Sequence, residues 1–280
     1  MAELCLVGYT YRGYDMAYAL ERAQAFGYRG IELRDFGDVD LSTPAGVAGS
    51  LEKAAELAKA YDLAIHSLFY SPLPISRERE RLSEEQAFGE VIAILADFRV
   101  PVLHTRLSLR QREGTGEVVA AGATESDYEA VWNTLRRVVP IAKKHQVRIA
   151  IETHMGTIHD TAASQLRIIS GLESECLVAS LDFANMLIAY REEALVEAIR
   201  AFGGRVGYTH IKNVKLLPVG YDWNLPVRWG DINYYRVLRA LKEVSYSGPL
   251  AVEYCGTGDP DVFAEDDVRY LTALAARVGI

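Results

Sequence analysis

The sequence predicts a single-domain α/β protein, a (β/α)8 TIM barrel that spans residues 1–280. Short apolar runs alternate with longer amphipathic segments along the whole chain, which is typical of parallel strands joined by helices. The pattern repeats eight times, the number of units that such a barrel needs. No G-x-G-x-x-G motif follows the first run, so an open, doubly wound dinucleotide-binding sheet is disfavoured.

The eight apolar runs have the length of buried parallel strands and are rich in Val, Ile and Leu. They occupy residues 4–9, 30–34, 63–69, 101–107, 147–154, 177–183, 205–212 and 249–254. Helical patterns lie between them at 14–26, 46–61, 83–98, 125–145, 160–172, 192–203, 231–244 and 261–278. Two longer loops, 107–124 and 213–230, follow the fourth and seventh runs. Loops at the carboxyl ends of barrel strands usually form the walls of an active site.

The composition limits the choice of partners and location. The formal net charge is −8, which disfavours broad nucleic-acid binding. Cys5, Cys176 and Cys255 are far apart and form no C-x-x-C pair, as expected for reduced thiols in a cytoplasmic protein. We see neither a signal peptide nor an apolar stretch long enough to cross a membrane. A small molecule is therefore the expected partner, and the sequence is compatible with a homo-oligomer.

Ionisable residues interrupt the apolar runs near their carboxyl ends. They are Glu32, Arg34, His66, His104, Arg106, Glu152, His154, Asp182, His210, Lys212 and Glu253. Burying such groups without partners costs several kcal/mol each, about 2–7 for a neutral polar group and more for a charge. A bound cation with mutual hydrogen bonds would remove that cost, so these positions indicate a site at one rim of the barrel.

Four of these residues come from consecutive strands and form the predicted metal site: Glu152, Asp182, His210 and Glu253. Any one of them alone could be an ion-pair partner or a buried core residue. Together, three oxygen donors and one imidazole suit a divalent ion, with Mn²⁺ favoured and Mg²⁺, Co²⁺ or Zn²⁺ as alternatives. Cys255 is expected to point outward, which leaves no thiolate in the set.

At these residues the chain resembles the xylose-isomerase-like TIM-barrel superfamily of sugar (phosphate) isomerases and epimerases. The resemblance runs through most of the sequence. The most specific motifs are IAIETH with Glu152, LDFAN with Asp182, THIKN with His210 and YSGPLAVEY with Glu253. The resemblance implies one divalent metal on these four residues, with Glu152 and Glu253 also transferring protons during catalysis.

Two departures bear on the branch of the superfamily. Ketose 3-epimerases commonly carry D-x-x-H, whereas this chain has Asn185 three residues after Asp182. The H-x-K pattern of His210 and Lys212 is closer to dehydratases and hydroxypyruvate isomerases. Apurinic endonucleases use a richer histidine cluster and basic loops, which this acidic chain lacks.

The leading hypothesis is an isomerase or epimerase of a keto-sugar or related polyol that works through a metal-stabilised enediolate. The alternative is a dehydratase that acts on a keto-polyol, and a non-catalytic carbohydrate-binding barrel is the rival from another class. The predicted substrate-binding residues are His66, His104, His154, Asn185 and Lys212. Glu32 is expected to orient a neighbouring His or Lys, and His145 and His159, on helical stretches, are expected to face solvent.

Overall fold

Eight parallel strands close into a barrel in the computed structural model, which describes residues 2–70, 72–75, 82–112, 116–191 and 194–280. The strands are β1 Leu4–Val7, β2 Gly30–Leu33, β3 Ala64–Phe69, β4 Val102–Thr105, β5 Arg148–Glu152, β6 Leu177–Asp182, β7 Val206–Ile211 and β8 Leu250–Val252. Each strand pairs with its neighbours in chain order, and β8 pairs with β1. The predicted barrel and all eight strands are confirmed.

Helices follow the strands on the outside of the barrel. They are α1 Met16–Phe26, α2 Pro44–Ala60, α3 Leu82–Asp97, α4 Glu125–His145, α5 Ala162–Ser170, α6 Phe183–Ala189, α7 Leu195–Phe202, α8 Tyr234–Glu243 and α9 Pro260–Val278. Helix α6 was not predicted. It begins directly after β6 because an Asp182 side-chain oxygen accepts the Asn185 backbone N–H at 2.9 Å, which caps its first turn. Among the described helices, none has the length and apolar character needed to cross a membrane.

The strands separate two apolar regions. Their outer faces pack against the helices in one large core. Their inner faces form a smaller plug in the barrel: Cys5, Val7, Val102, Ala150, Val178, Tyr208 and Ala251. Because side chains alternate along a strand, the next inward position on several strands lies one layer closer to the carboxyl ends. On β4, β5 and β7 that position is His104, Glu152 and His210, so a polar layer rests on the apolar plug.

A β-bulge in β3 changes which side chain faces this polar layer. Strand β2 pairs Ile31 with Ile65 but Glu32 with Ser67, so His66 is the extra residue. Ser67 consequently faces Glu32. His66 instead lies toward the opposite end of the barrel, with Nε2 3.1 Å from the Glu3 carboxylate.

A second bulge lies between β6 and β7, where Ala179 pairs with Val206 and Ser180 with Tyr208. The extra residue here is Gly207. A Cβ at this position would lie 2.3 Å from Val178 Cγ2 and 2.6 Å from Val178 Cβ. Such distances leave no room for a methyl group between the two strands.

We therefore expect Gly207→Ala to lower the free energy of unfolding by about 1–3 kcal/mol, since overpacking forces backbone or rotamer shifts. Urea unfolding followed by circular dichroism measures the effect. Gly204→Ala is the matched control, because a Cβ at Gly204 would meet no atom within 4 Å. Equal stability of the two variants would contradict this account of the bulge.

Candidate metal centre and substrate cleft

His210 lies at the centre of a group of buried carboxylates at the carboxyl end of the barrel. Its Nδ1 is 3.2 Å from Glu152 Oε1, 3.7 Å from Glu253 Oε2 and 3.8 Å from Asp182 Oδ2. The strand register produces this arrangement: Asp182 pairs with His210 across β6 and β7, and Glu253 follows β8, whose Ala251 also pairs with His210. The structure thus brings the four predicted ligands together.

The donor set fits a divalent cation. The ligand atoms of Glu152, Asp182 and His210 lie within 4.8 Å of one another, and all three residues are buried. Within the described part of the chain, His210 Nδ1 is a buried nitrogen with no hydrogen-bond partner. Carboxylates and an imidazole with an unpartnered nitrogen are the donors that Mn²⁺, Mg²⁺, Co²⁺ and Zn²⁺ accept.

Lys212 introduces a positive charge into the same group. Its Nζ is 2.8 Å from Asp182 Oδ2 and 2.8 Å from Glu253 Oε2. Burial raises the pKa of the Glu253 carboxyl, but the charges of Lys212, His210 and Arg34 outweigh burial and bring that pKa to about 2. Glu253 is therefore ionised at neutral pH, and Lys212 partly balances the buried carboxylates.

Glu32 connects His210 to a second histidine. Its carboxylate lies 3.2 Å from His210 Nε2 and 3.0 Å from His104 Nδ1, and it accepts the Ser67 hydroxyl at 2.9 Å. A carboxylate on the far nitrogen fixes the ring orientation of a metal-binding histidine. The expectation that Glu32 contacts a neighbouring histidine agrees with this geometry. Sequence reasoning missed Ser67, because the bulge that turns it inward has no clear signal in the sequence.

A cleft of about 200 Å³ lies above the carboxylates. Five of the predicted residues line it: Glu152, His154, Asn185, Lys212 and Glu253. The Asn185 amide donates to the Thr153 carbonyl at 3.3 Å, and its buried Oδ1 has no hydrogen-bond partner in the described residues. Asn185 is therefore placed to accept a hydrogen bond from a hydroxyl in the cleft.

Two predicted substrate-binding residues lie elsewhere. The β3 bulge directs His66 toward Glu3, away from the cleft, so the expectation of substrate contact by His66 is corrected. His104 is fully buried in the layer behind His210, with the two ring centroids 4.5 Å apart. It contacts Glu32 and does not line the cleft.

Cys255 and His159 also differ from expectation. Cys255 lines the cleft, since β8 ends at Val252 and Cys255, two residues after Glu253, lies on the same side. Burial raises the pKa of its thiol to about 12, so the thiol stays protonated at neutral pH. His159 is fully buried on the loop that precedes α5, because it forms hydrogen bonds with the Leu107 segment.

The hydrogen bonds of His159 define a neutral ring. Its Nε2 accepts the Leu107 backbone N–H at 2.9 Å, and its Nδ1 donates to Thr157 Oγ1 at 3.1 Å. The Thr157 hydroxyl in turn donates to the His154 carbonyl at 2.7 Å. Burial lowers the pKa of His159 to about 4.

His159 should consequently make stability pH-dependent. Between about pH 6.5 and pH 4 the unfolded chain binds a proton on this imidazole and the folded chain does not, so the free energy of unfolding falls as pH falls. The contribution is about 2–4 kcal/mol, because a tenfold difference in proton affinity is worth about 1.4 kcal/mol. Urea unfolding over this pH range should show a shallower pH dependence for His159→Gln.

The control is His145→Gln at the end of α4, where the side chain has intermediate exposure. This variant is expected to keep the wild-type pH dependence. An unchanged slope in His159→Gln would show that the proton is taken up elsewhere.

Known structures share the fold at low sequence identity. The probable 3-DHS dehydratase AsbF of Bacillus anthracis matches with a TM-score of 0.76 and 16% identity, over 96% of this chain and 98% of that chain. D-allulose 3-epimerase of Methylomonas sp. in complex with D-allulose matches with a TM-score of 0.74 and 17% identity, over 97% and 96%. A Mycobacterium smegmatis xylose isomerase-like TIM barrel in complex with magnesium matches with a TM-score of 0.73 and 15% identity, over 99% and 98%.

Sequence comparison is consistent with these likenesses. An uncharacterized protein of Methanocaldococcus jannaschii is 28% identical over 126 residues, which are 44% of this chain and 42% of the relative's length. The model of the xylose isomerase-like TIM barrel family matches residues 20–274. This match covers all eight strands except β1, including every residue of the carboxylate group. The chain therefore belongs to the xylose isomerase-like TIM barrel family.

Proposed function

We propose that this protein is a divalent-metal-dependent isomerase or epimerase of a keto-sugar or related polyol. The observation that carries the proposal is the pair of buried carboxylates, Glu152 and Glu253, that face the same His210 nitrogen and line the same cleft. A pure binding protein needs no such pair. An enzyme that moves a proton between two positions of a substrate does need one.

Glu152, Asp182, His210 and Glu253 would hold the cation. Mn²⁺ is the favoured ion, with Mg²⁺, Co²⁺ or Zn²⁺ as alternatives. When bound, the cation would polarise the substrate carbonyl and acidify the adjacent C–H bond. The fixed orientation of His210, held by Glu32 on its other nitrogen, supports this role.

In the proposed reaction, Glu152 and Glu253 transfer protons. One carboxylate removes the proton next to the carbonyl. The other takes up a proton from solvent and delivers it to the resulting enediolate, while the first releases its proton to solvent. Return to the same carbon from the opposite face gives epimerisation, and return to the neighbouring carbon gives isomerisation. Lys212 and the unpartnered Asn185 Oδ1 would orient substrate oxygens. His154 lines the same cleft and is the third proposed substrate contact.

A dehydratase is the second candidate. Lys212 places an ammonium group 2.8 Å from Glu253, at the cleft. An ammonium group beside the carboxylate base can donate a proton to a β-hydroxyl as it leaves. The same enediolate would then lose water. AsbF, a probable 3-DHS dehydratase, shares the fold of this chain. For either reaction we propose a small-molecule substrate and a cytoplasmic location, without nucleic acid.

Metal binding should stabilise the folded protein. At a hundredfold excess over Kd, a ligand of the native state adds about 2.7 kcal/mol, which should raise the Tm by roughly 5 °C. Asp182→Asn should remove most of this increase while keeping the helix cap to Asn185, because an asparagine oxygen also accepts that N–H. Thermal unfolding with and without Mn²⁺, together with metal analysis, measures the effect.

Asp97→Asn, at an exposed position at the end of α3, is the matched control and should behave as the wild type. No bound divalent ion in the purified protein, together with a Tm that Mn²⁺ leaves unchanged, would exclude the metal site.

Proton transfer can be followed directly in D₂O. A panel of ketoses incubated with Mn²⁺ and the wild-type protein should gain carbon-bound deuterium without losing water. Glu253→Gln should reduce this exchange by about 100- to 10,000-fold, the usual contribution of a positioned acid or base. Nuclear magnetic resonance detects both the deuterium and the product.

Glu3→Gln serves as the control, since Glu3 is exposed at the opposite end of the barrel beside His66. An enone product would favour the dehydratase. Undiminished exchange in Glu253→Gln would rule out proton transfer by this carboxylate.

A further inference from the structure

Arg106 differs in its surroundings from the other cations of the cleft. Arg34 Nη1 lies 3.5 Å from Glu253 and 3.7 Å from Glu32, and Lys212 lies between Asp182 and Glu253. Arg106 also lines the cleft. Within the ranges that the structure describes, however, no carboxylate comes within 4 Å of its guanidinium nitrogens. Its charge is therefore not balanced by a protein group in those ranges.

The guanidinium of Arg106 donates one hydrogen bond to a side chain among the described residues. Nη1 lies 3.0 Å from His154 Nε2, and an arginine can only donate, so the imidazole accepts. His154 Nδ1, 2.9 Å from the Met155 carbonyl, then carries the proton of a neutral ring. Arg106 Nε is buried and has no hydrogen-bond partner among the described residues. A guanidinium can bind two oxygens of a carboxylate or phosphate in parallel.

The position of Arg106 is held from behind. Its guanidinium carbon lies 5.7 Å from the centroid of the Phe69 ring, the same ring that Arg34 stacks on at 4.1 Å. Buried His159 binds the backbone of Leu107, the next residue, and through Thr157 it also binds the carbonyl of His154. The strand segment that carries Arg106 and the loop that carries His154 are thus fixed together. Such preorganisation lowers the entropy cost of binding a ligand.

The charges around His210 also favour an anionic ligand in the cleft. Four carboxylates are buried around His210: Glu32, Glu152, Asp182 and Glu253. Arg34, Lys212 and one divalent cation together would neutralise these four buried negative charges. Arg34 also pairs with Asp35 at 2.8 Å, but that carboxylate is exposed and is screened by solvent. Arg106 then adds one positive charge to a cleft with low-dielectric walls, where an anion is attracted more strongly than in bulk water.

We infer that Arg106 binds an anionic oxygen group of the substrate, a carboxylate or a phosphate, through its guanidinium group. The keto-polyol part of this inference rests on the proposed function. The substrate is then an acidic keto-polyol, with a carbonyl end at the carboxylates and an anionic end at Arg106. This assigns a specificity-determining role to a residue outside the metal-binding set.

Three matched ketohexoses test the inference on the Mn²⁺-loaded protein. D-fructose is neutral, D-fructuronate carries a carboxylate at the end remote from the carbonyl, and D-fructose 6-phosphate carries a phosphate there. Isothermal titration calorimetry should give at least about tenfold tighter binding for one acidic compound than for D-fructose. Preference for D-fructuronate identifies a carboxylate, and preference for D-fructose 6-phosphate identifies a phosphate.

Substitutions at Arg106 separate recognition from general charge effects. In Arg106→Gln the affinity for the acidic compound should fall to the affinity that the same variant shows for D-fructose. Arg106→Lys keeps the charge but lacks the fork, so it should retain part of the preference. Arg112→Gln, at an exposed arginine on the loop after β4, is the control and should retain all of it.

Equal affinity for all three compounds in the wild type, or a full preference for an acid in Arg106→Gln, would overturn the inference. Failure of the proposed function gives a different result. In that case the acidic compound still binds through Arg106, but no deuterium enters any ketose in D₂O.

Discussion

The burial of four carboxylates around one histidine is the constraint on which the carboxyl end of the barrel depends. Removing an ionised carboxylate from water costs several kcal/mol unless a partner compensates. Here His210 contributes both ring nitrogens, one toward Glu32 and the other toward Glu152, Asp182 and Glu253. Lys212, directly after the same strand β7, and Arg34, directly after β2, add their charges.

The barrel makes this arrangement possible because it sorts side chains into layers. An apolar plug that includes Val102, Ala150, Tyr208 and Ala251 fills the lower interior and excludes water. The next inward positions lie two residues further along each strand and carry the ionisable groups. The dry plug lowers the local dielectric, which strengthens both the attraction and the repulsion among these charges. The electrostatic energy of this layer therefore depends on the positions of the cations as much as on those of the carboxylates.

Periodicity predicted the features that follow from regular strands. The alternation of apolar runs and helices was enough to predict the eight-stranded barrel. The polar residues at the strand ends were enough to predict that Glu152, Asp182, His210 and Glu253 lie together. Irregularities within a strand could not be predicted from periodicity. The bulge in β3 exchanges His66 for Ser67 at the inward position, and a bulge depends on how two strands pair rather than on one segment.

Tertiary contacts account for the other differences. The sequence places His159 on a helical stretch and predicts that it faces solvent, yet its ring is buried because the distant Leu107 backbone donates to it. Helix α6 is short and begins without a loop after β6, so its pattern merged with that of the strand. Such features depend on partners more than 40 residues away or on the exact point where a strand ends.

The bulge in β3 also has a consequence for how the sequence can diverge. Two adjacent residues of β3 lie in different parts of the barrel. His66 lies beside Glu3 at the base, the end opposite the carboxylates, and Ser67 lies in the polar interior, where it donates to Glu32. Selection on solubility or assembly at the base can therefore act on position 66 without altering the hydrogen bonds of Glu32. Loss of that single extra residue would restore regular alternation, because Ser67 would then follow Ile65 directly and still pair with Glu32. A one-residue deletion at position 66 would therefore remove the contact with Glu3 and leave the polar interior as it is.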